Sequence, residues 1–210
     1  MQYMFGDTDI AAQRLKVLAD VYAASTQVFL DDVMTFRPEC IVDLGCGPGH
    51  TTHLLAKALD GDRVVGFDKS EHFIALAEQT QTAKVMFRLH DVTVVPFPTQ
   101  AADLLYARLL LAHLRDPQGV LAAWATQLRP KGCLLLEEVE WIHTNSFLFT
   151  TYLDMVTALL ADQATHMYAG QDLHGLADPE VVTQACESSA ACTGANVSSR
   201  HHVFPEPANV

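Results

Sequence analysis

The sequence predicts an α/β domain, a doubly wound and mostly parallel sheet with helices on both faces. Three observations lead there. Over residues 40–141, short apolar runs of strand length alternate with segments whose apolar residues recur at helical spacing, the order that builds a parallel sheet. Between the first such run and the first such helix lies Gly45-Cys46-Gly47-Pro48-Gly49, rich in the residue that tolerates positive φ and lets backbone approach a ligand closely. Polar residues also collect at or just beyond the carboxyl ends of the predicted strands (Asp43, Asp68, Asp91 and Arg108), where ligands bind in open sheets of this kind.

Residues 1–37 are expected to form two leading helices. Ala11, Leu15, Leu18 and Tyr22 recur at helical spacing with Asp7 as a cap, and Phe29, Val33 and Met34 continue the pattern in a second segment. Residues 38–142 carry the sheet. Ile41, Val42 and Leu44 make the first strand, and a helix from His50 to Leu59 packs through Leu54, Leu55, Ala58 and Leu59 and stops at Gly61. After a second strand at 63–68, Ser70 caps a helix that buries Phe73, Ile74, Leu76 and Ala77. Strands at 84–89 and 102–107 follow. Asp116 caps the next helix, with Pro117 at its first position, where the missing amide costs nothing. That helix packs through Val120, Leu121, Trp124 and Leu128, and Trp124 reads as core because it lies on this stripe. The turn Leu128-Arg129-Pro130-Lys131-Gly132 leads into a fifth strand, Cys133-Leu134-Leu135-Leu136-Glu137-Glu138.

Residues 143–210 are expected to hold C-terminal helices and a strand. Phe149, Leu153, Val156, Leu159 and Leu160 mark one helix, Asp178, Pro179 and Glu180 open another, and 197–204 can be a strand. The whole, 210 residues of which half are apolar, suits a single domain with one full core. A formal charge of −12, with 25 acids against 13 bases, argues against a phosphate-tracking surface and hence against nucleic acid. The five cysteines are an odd set without a Cys-x-x-Cys pair, which suits small buried residues in a reducing compartment. Cys186, Cys192, His201 and His202 fit no zinc spacing, so no metal is expected. No signal-peptide pattern opens the chain and no apolar run is long enough to span a bilayer, so a soluble cytoplasmic protein without a membrane partner is expected. Its oligomeric state is open, a homodimer included.

The glycine loop sets the ligand question. A phosphate-binding loop needs Lys directly after the glycines, and the first lysine is Lys57, two turns into the helix. The dinucleotide fingerprint Gly-x-Gly-x-x-Gly fits less well, because Gly49 comes one position early and His50 stands where the third glycine belongs. Asp43 is a carboxylate inside an apolar strand, two residues before the first glycine, and needs a hydrogen-bond donor or a cation.

Val42-Asp43-Leu44-Gly45-Cys46-Gly47-Pro48-Gly49 matches hydrophobic-Asp-hydrophobic-Gly-x-Gly-x-Gly at every position, and in this the chain resembles the class I methyltransferases that use S-adenosylmethionine. The resemblance runs in order over residues 43–138. Arg63-Val64-Val65-Gly66-Phe67-Asp68 places an acid 23 residues after Gly45, His90-Asp91-Val92 follows the third strand, and the fourth and fifth strands take their expected places. It implies S-adenosylmethionine as cofactor, methyl transfer as activity, and roles for particular residues. Gly45, Cys46, Gly47 and Gly49 would cradle the amino-acid end. Asp68, with Lys69 beside it, would hold the ribose hydroxyls, and His90, Asp91 and Val92 would lie near the adenine. Asp43 would fix the loop amides or meet the ammonium from behind, and Arg108 would border the cleft. In similar methyltransferases leading helices form a lid, and a run such as Tyr3-Met4-Phe5-Gly6 comes close to the cofactor. Tyr3 and Phe5 can equally be a tail packed on the core, Asp68 a helix cap, Asp91 a loop acid and Cys46 a small residue in a crowded place.

No catalytic base is assigned. Oxygen and nitrogen acceptors can need one, and the groups nearest the expected cleft are Arg108, His113, Glu138, Glu140 and His143. His113 is a candidate, although Leu109-Leu110-Leu111-Ala112-His113-Leu114 is helix-like and the imidazole can simply be packed. Glu137, Glu138 and Glu140 crowd one strand end, so a pKa raised by like-charge proximity is expected there. Neither Asn-Pro-Pro-Tyr nor Asp-Pro-Pro-Tyr follows the fourth strand, so the motif of adenine-N6 and protein-glutamine methylases is missing and a small-molecule acceptor is favoured. Two other functions stay open: a protein that binds the cofactor without methyl transfer, and a nicotinamide oxidoreductase with a pyrophosphate on the loop. The six residues after Phe204 are too few for the seventh strand of such a sheet. The C-terminal strand pair is therefore expected to be incomplete, through a shortened chain with 188–210 poorly ordered, or through strands rebuilt or donated by a partner.

Overall fold

Five strands run parallel: β1 (Cys40–Leu44), β2 (Arg63–Asp68), β3 (Val85–Leu89), β4 (Ala102–Arg108) and β5 (Leu128–Thr144). With β6 (Gln184–Cys192) and β7 (Ala195–Pro205) they form one sheet in the order β3-β2-β1-β4-β5-β7-β6, with β7 antiparallel to both neighbours. This computed structural model describes residues 6–162 and 167–171 in full, and the backbone alone of 184–192 and 195–205. The chain winds from β1 outward to β3 and then crosses back to β4 on the other side. Strand order thus reverses between β1 and β4, and a crevice opens above their carboxyl ends.

Both faces of the sheet are covered, which is why β1 is buried at all five positions and cannot alternate apolar with polar residues. On one face Ile41, Leu104, Tyr106 and Leu135 pack with Phe29 and Leu30 of α1 (Asp9–Val33), Leu55 of α2 (His50–Leu59) and Ile74 of α3 (Glu71–Glu78). On the other, Val42, Leu44, Leu105 and Leu134 pack with Leu121 and Trp124 of α4 (Pro117–Ala125). Trp124 is wholly buried, and its indole N–H donates to the Val92 carbonyl at 2.7 Å. Ser70 and Asp116 cap α3 and α4 through their side-chain oxygens, and Pro117 opens α4, as the sequence predicts.

The N-terminal region departs from expectation. One helix of 25 residues, α1, replaces the two predicted, and its cap is Thr8, whose hydroxyl accepts from the Ala11 amide, not Asp7. No proline or glycine interrupts residues 9–33, so nothing stops the helix. The apolar stripe lapses at Thr26, yet Thr26 is fully buried, because its hydroxyl donates to Glu137 Oε2 at 2.6 Å.

The C-terminal strand pair, expected to be incomplete, is complete. The segment 197–204 lies within β7, which is itself the strand inserted between β5 and β6. β6 went unread because Gln184-Ala185-Cys186-Glu187-Ser188-Ser189-Ala190-Ala191-Cys192 lacks the β-branched and aromatic residues that mark strands. The helix marked by Leu153, Val156 and Leu160 is α5 (Phe147–Asp162), which buries those three residues. The helix expected at Asp178, the tail with Tyr3 and Phe5, and the side chains of Cys186, Cys192, His201 and His202 lie outside the described residues. Among the described residues no helix is long and apolar enough to cross a membrane.

Candidate active site

Above the crevice lies a cavity of about 610 Å³, in the size range of small-ligand sites. The glycine loop, the ends of β2, β4 and β5, the segment after β3, the first half of α1 and one side of α5 enclose it.

The loop leaves β1 through glycines at positive φ: 69° at Gly45, 52° at Gly47 and 89° at Gly49. A Cβ at Gly45 would stand 2.8 Å from Leu110 Cδ1, and one at Gly49 would stand 2.6 Å from Phe87 Cζ. Both positions therefore need glycine for conformation and for space. The first glycine lets the segment after β4 close against the loop, and the third seats the start of α2 on β3.

Asp68 closes β2 and ties the site together. Its Oδ2 accepts from the Gly47 amide and its Oδ1 from the Ser70 amide, each at 2.8 Å. One carboxylate thus braces the glycine loop and the beginning of α3. Burial raises its pKa, and the two amide bonds oppose that rise. Asp91 accepts from both the amide and the hydroxyl of Thr93. Burial pushes its pKa up, but these bonds outweigh it and hold the carboxyl below its usual value.

Arg108 ends β4 and donates to the hydroxyls of Thr26 at 3.2 Å and Thr51 at 2.6 Å. Its guanidinium lies 5.9 Å from the centroid of the Tyr22 ring. His113 belongs to a short 3₁₀ turn, Leu111–His113, and borders the cavity. Burial, with Arg14 and Lys69 nearby, lowers its pKa to about 4, so the imidazole is neutral at physiological pH.

Of the residues singled out from the sequence, the structure brings Gly45, Cys46, Gly47, Asp68, Lys69, Asp91, Val92, Arg108 and His113 to the cavity wall. Glu138 borders it as well, whereas Glu140, His143, Asp43, Gly49 and His90 do not. Asp43 is buried beneath the loop, where its Oδ2 accepts from the Thr52 hydroxyl at 2.6 Å, and burial raises its pKa to about 7. Gly49 turns away as the N-cap of α2. His90 packs against Phe67 and Phe97, and its Nε2 lies 2.8 Å from the Val94 carbonyl. Cys46 packs beneath Gly66, where an added Cβ would come 2.8 Å from Cys46 Sγ, and burial pushes its thiol pKa up, away from reactivity. Tyr3 lies outside the described residues.

The acidic end of β5 behaves otherwise than expected. Glu138 has a pKa raised to about 8, but burial is the main cause and the neighbouring Glu137 charge the smallest. Its Oε1 accepts from the amides of Leu110 and Leu111, both at 2.7 Å. Glu137 points to the opposite face, where Thr26 and Tyr106 donate to its Oε2. Sequence reasoning also missed the α5 wall of the cavity, since helical periodicity reports that a face is covered and not what covers it.

Comparison with known proteins completes the description. Residues 42–136 match a protein-family description, "Methyltransferase domain". A trans-aconitate 2-methyltransferase of Variovorax paradoxus is 36% identical over 97 residues, covering 46% of this chain and 37% of the relative. A ubiquinone biosynthesis O-methyltransferase of Coxiella burnetii is 28% identical over 163 residues, covering 76% of this chain and 66% of the relative. The chain thus spans between about a third and two thirds of these relatives' lengths. Human N-acetylserotonin methyltransferase, solved in complex with SAM, superposes with a TM-score of 0.64 at 18% identity over 90% of this chain and 54% of its own, a likeness of fold.

Proposed function

We propose that this chain, whose residues 42–136 match a methyltransferase domain, is a class I methyltransferase that binds S-adenosylmethionine across the carboxyl ends of β1, β2 and β3 and transfers its methyl group to a small-molecule acceptor. The observation that carries this reading is the junction of Asp68 with the glycine loop. A half-buried carboxylate held 2.8 Å from the Gly47 amide sits beside backbone bare of side chains, at the point where strand order reverses. Each Asp68 oxygen spends one lone pair on an amide and keeps another, which suits two vicinal hydroxyls. The loop at Gly45 and Gly47 suits the amino-acid end of the ligand, and Asp91 and Val92 suit the base. When bound, the cofactor supplies an electrophilic methyl group on a sulfonium. The chain's own part is to orient it and to exclude water, and positioning of this kind is worth roughly 7–11 kcal/mol.

The small-molecule acceptor rests on the enclosure of the cavity by α1 and α5, and on relatives named for aconitate and ubiquinone-pathway methylation. A nicotinamide reading is disfavoured by the same junction, since a diphosphate on this loop would meet the Asp68 charge and compete for the Gly47 amide. Calorimetry on the purified chain tests the choice. S-adenosylhomocysteine should bind with a measurable heat and NADH should not, and the reverse result would overturn the proposal.

A further inference from the structure

The cofactor reading leaves Glu138 without a task. It is 1% exposed and forms part of the cavity wall. Both amide bonds that it accepts fall on Oε1, and among the described residues no donor reaches Oε2. The turn it fixes is strained, with Leu109 at φ 55°, and carries Leu110 onto Gly45, so the carboxyl holds the backbone whose side chain packs on the first glycine of the loop. Beyond it the wall is mostly apolar, with Val21, Ile142, Phe149, Leu153 and Val156, and also carries Thr144, Ser146 and Tyr152. The charged and titratable groups around it are few. Glu137 precedes it on β5, Tyr22 approaches from α1, Arg108 ends β4, His113 lies in the adjoining turn, and Arg200 of β7 is opposite in register.

Resting on the methyl-transfer reading, we propose that the side of the cavity between α1 and α5 takes a mostly apolar acceptor bearing one hydroxyl or amine, and that Glu138 Oε2 receives its proton. The acceptor's lone pair forms the new bond to the methyl carbon as the carbon–sulfur bond breaks. The breaking bond's electron pair stays on sulfur, and the acceptor's proton passes to the Glu138 carboxylate. His113, with its pKa lowered to about 4, is poorly matched to this work, whereas a carboxyl near 8 lies close to working pH. An apolar compartment with one open carboxylate oxygen also disfavours a tricarboxylate, which would bring like charge to a buried acid.

The test uses the full chain saturated with S-adenosylhomocysteine and two probes, 2-naphthol and 2-methoxynaphthalene, which share an apolar ring and differ in the one proton. At about pH 8.5 calorimetry should favour 2-naphthol roughly tenfold, the size of one hydrogen bond to a charged acceptor. Glu138→Gln, which keeps an oxygen for the two amides, should bring the probes within about twofold of each other. The wild type supplies a second measurement: its preference should shrink as pH falls through about 8 and the carboxyl becomes protonated. Equal probe affinities, a preference unchanged in Glu138→Gln or unchanged with pH, failure of 2-naphthol to bind, or binding of trans-aconitate in its place would each overturn the proposal. If S-adenosylhomocysteine itself does not bind, the methyl-transfer reading falls. If it binds and the probes fail, only this inference falls.

Discussion

Asp68, which closes β2, and Glu138, buried within β5, each accept two backbone amides, and they divide those bonds differently. Asp68 gives one oxygen to the Gly47 amide and the other to the Ser70 amide, so both oxygens are anchored and each keeps a lone pair for a neighbour. Glu138 puts both amides on one oxygen, and among the described residues no donor reaches the other. The count and kind of bonds are the same, but the first arrangement makes a brace with two partly committed acceptors, and the second anchors the acid through one atom and, among the described residues, leaves the other without a donor. How the amides are shared between the two oxygens therefore says more about what each acid can do than burial alone.

The contrast can be broken in several ways. Replacement of the brace has the largest expected effect: Asp68→Ala removes two charge-assisted bonds within the protein and two proposed for the ribose, and should weaken S-adenosylhomocysteine binding by about 100-fold. Glu138→Gln should leave that affinity within about threefold, and equal losses in the two variants, read by calorimetry, would erase the distinction.

Proton linkage gives a smaller effect. Asp43 and Glu138 titrate near 7 and near 8 in the folded chain, against reference values of 3.8 and 4.5. Between those limits the folded state holds protons that the unfolded state has released. Each group's stabilising contribution is therefore complete below its reference value and is lost as pH rises through 7 for Asp43 and through 8 for Glu138. The slope is at most about 1.4 kcal/mol per pH unit for each group. In urea unfolding across this range, Asp43→Asn should flatten the lower part of the decline and Glu138→Gln the upper part. Asp68, whose pKa is also raised, adds to the same trend, and a variant slope identical to wild type would count against the assignment. The smallest effect belongs to the opposite face, where Thr26→Val takes one donor from Glu137 and one acceptor from Arg108. A loss of about 1–2 kcal/mol of stability is expected, with cofactor-analogue affinity unchanged within about twofold, so a large affinity loss would show that the two faces are coupled.

What was legible in the sequence divides along the same physical line. The glycine loop and Asp68 could be read because backbone geometry demands particular residues: only glycine accommodates the conformation and closeness found at Gly45. The caps at Ser70 and Asp116 were legible for the same reason, since their chemistry acts within a few residues. The continuity of α1 between Tyr22 and Phe29 was not legible, because Thr26 is buried there by a partner, Glu137, that lies 111 residues away. Glu138 was noticed as one of a crowd of acids, but its Leu110 and Leu111 partners come from another strand's end, so the sequence suggested charge repulsion where burial dominates. β6 was invisible because small residues pair as strands only when a neighbour such as β7 offers them an edge.

The single helix at the N-terminus sets how the chamber can be reached. Arg14, Leu15 and Leu18 roof it, while Phe29 and Leu30, farther along the same unbroken rod, are sunk in the core. Lifting the whole rod would expose those two side chains to water at roughly 1.5–3 kcal/mol each. Traffic in and out should therefore follow fraying of the first turns near Thr8, a local event costing less than any hinge at the base of the helix.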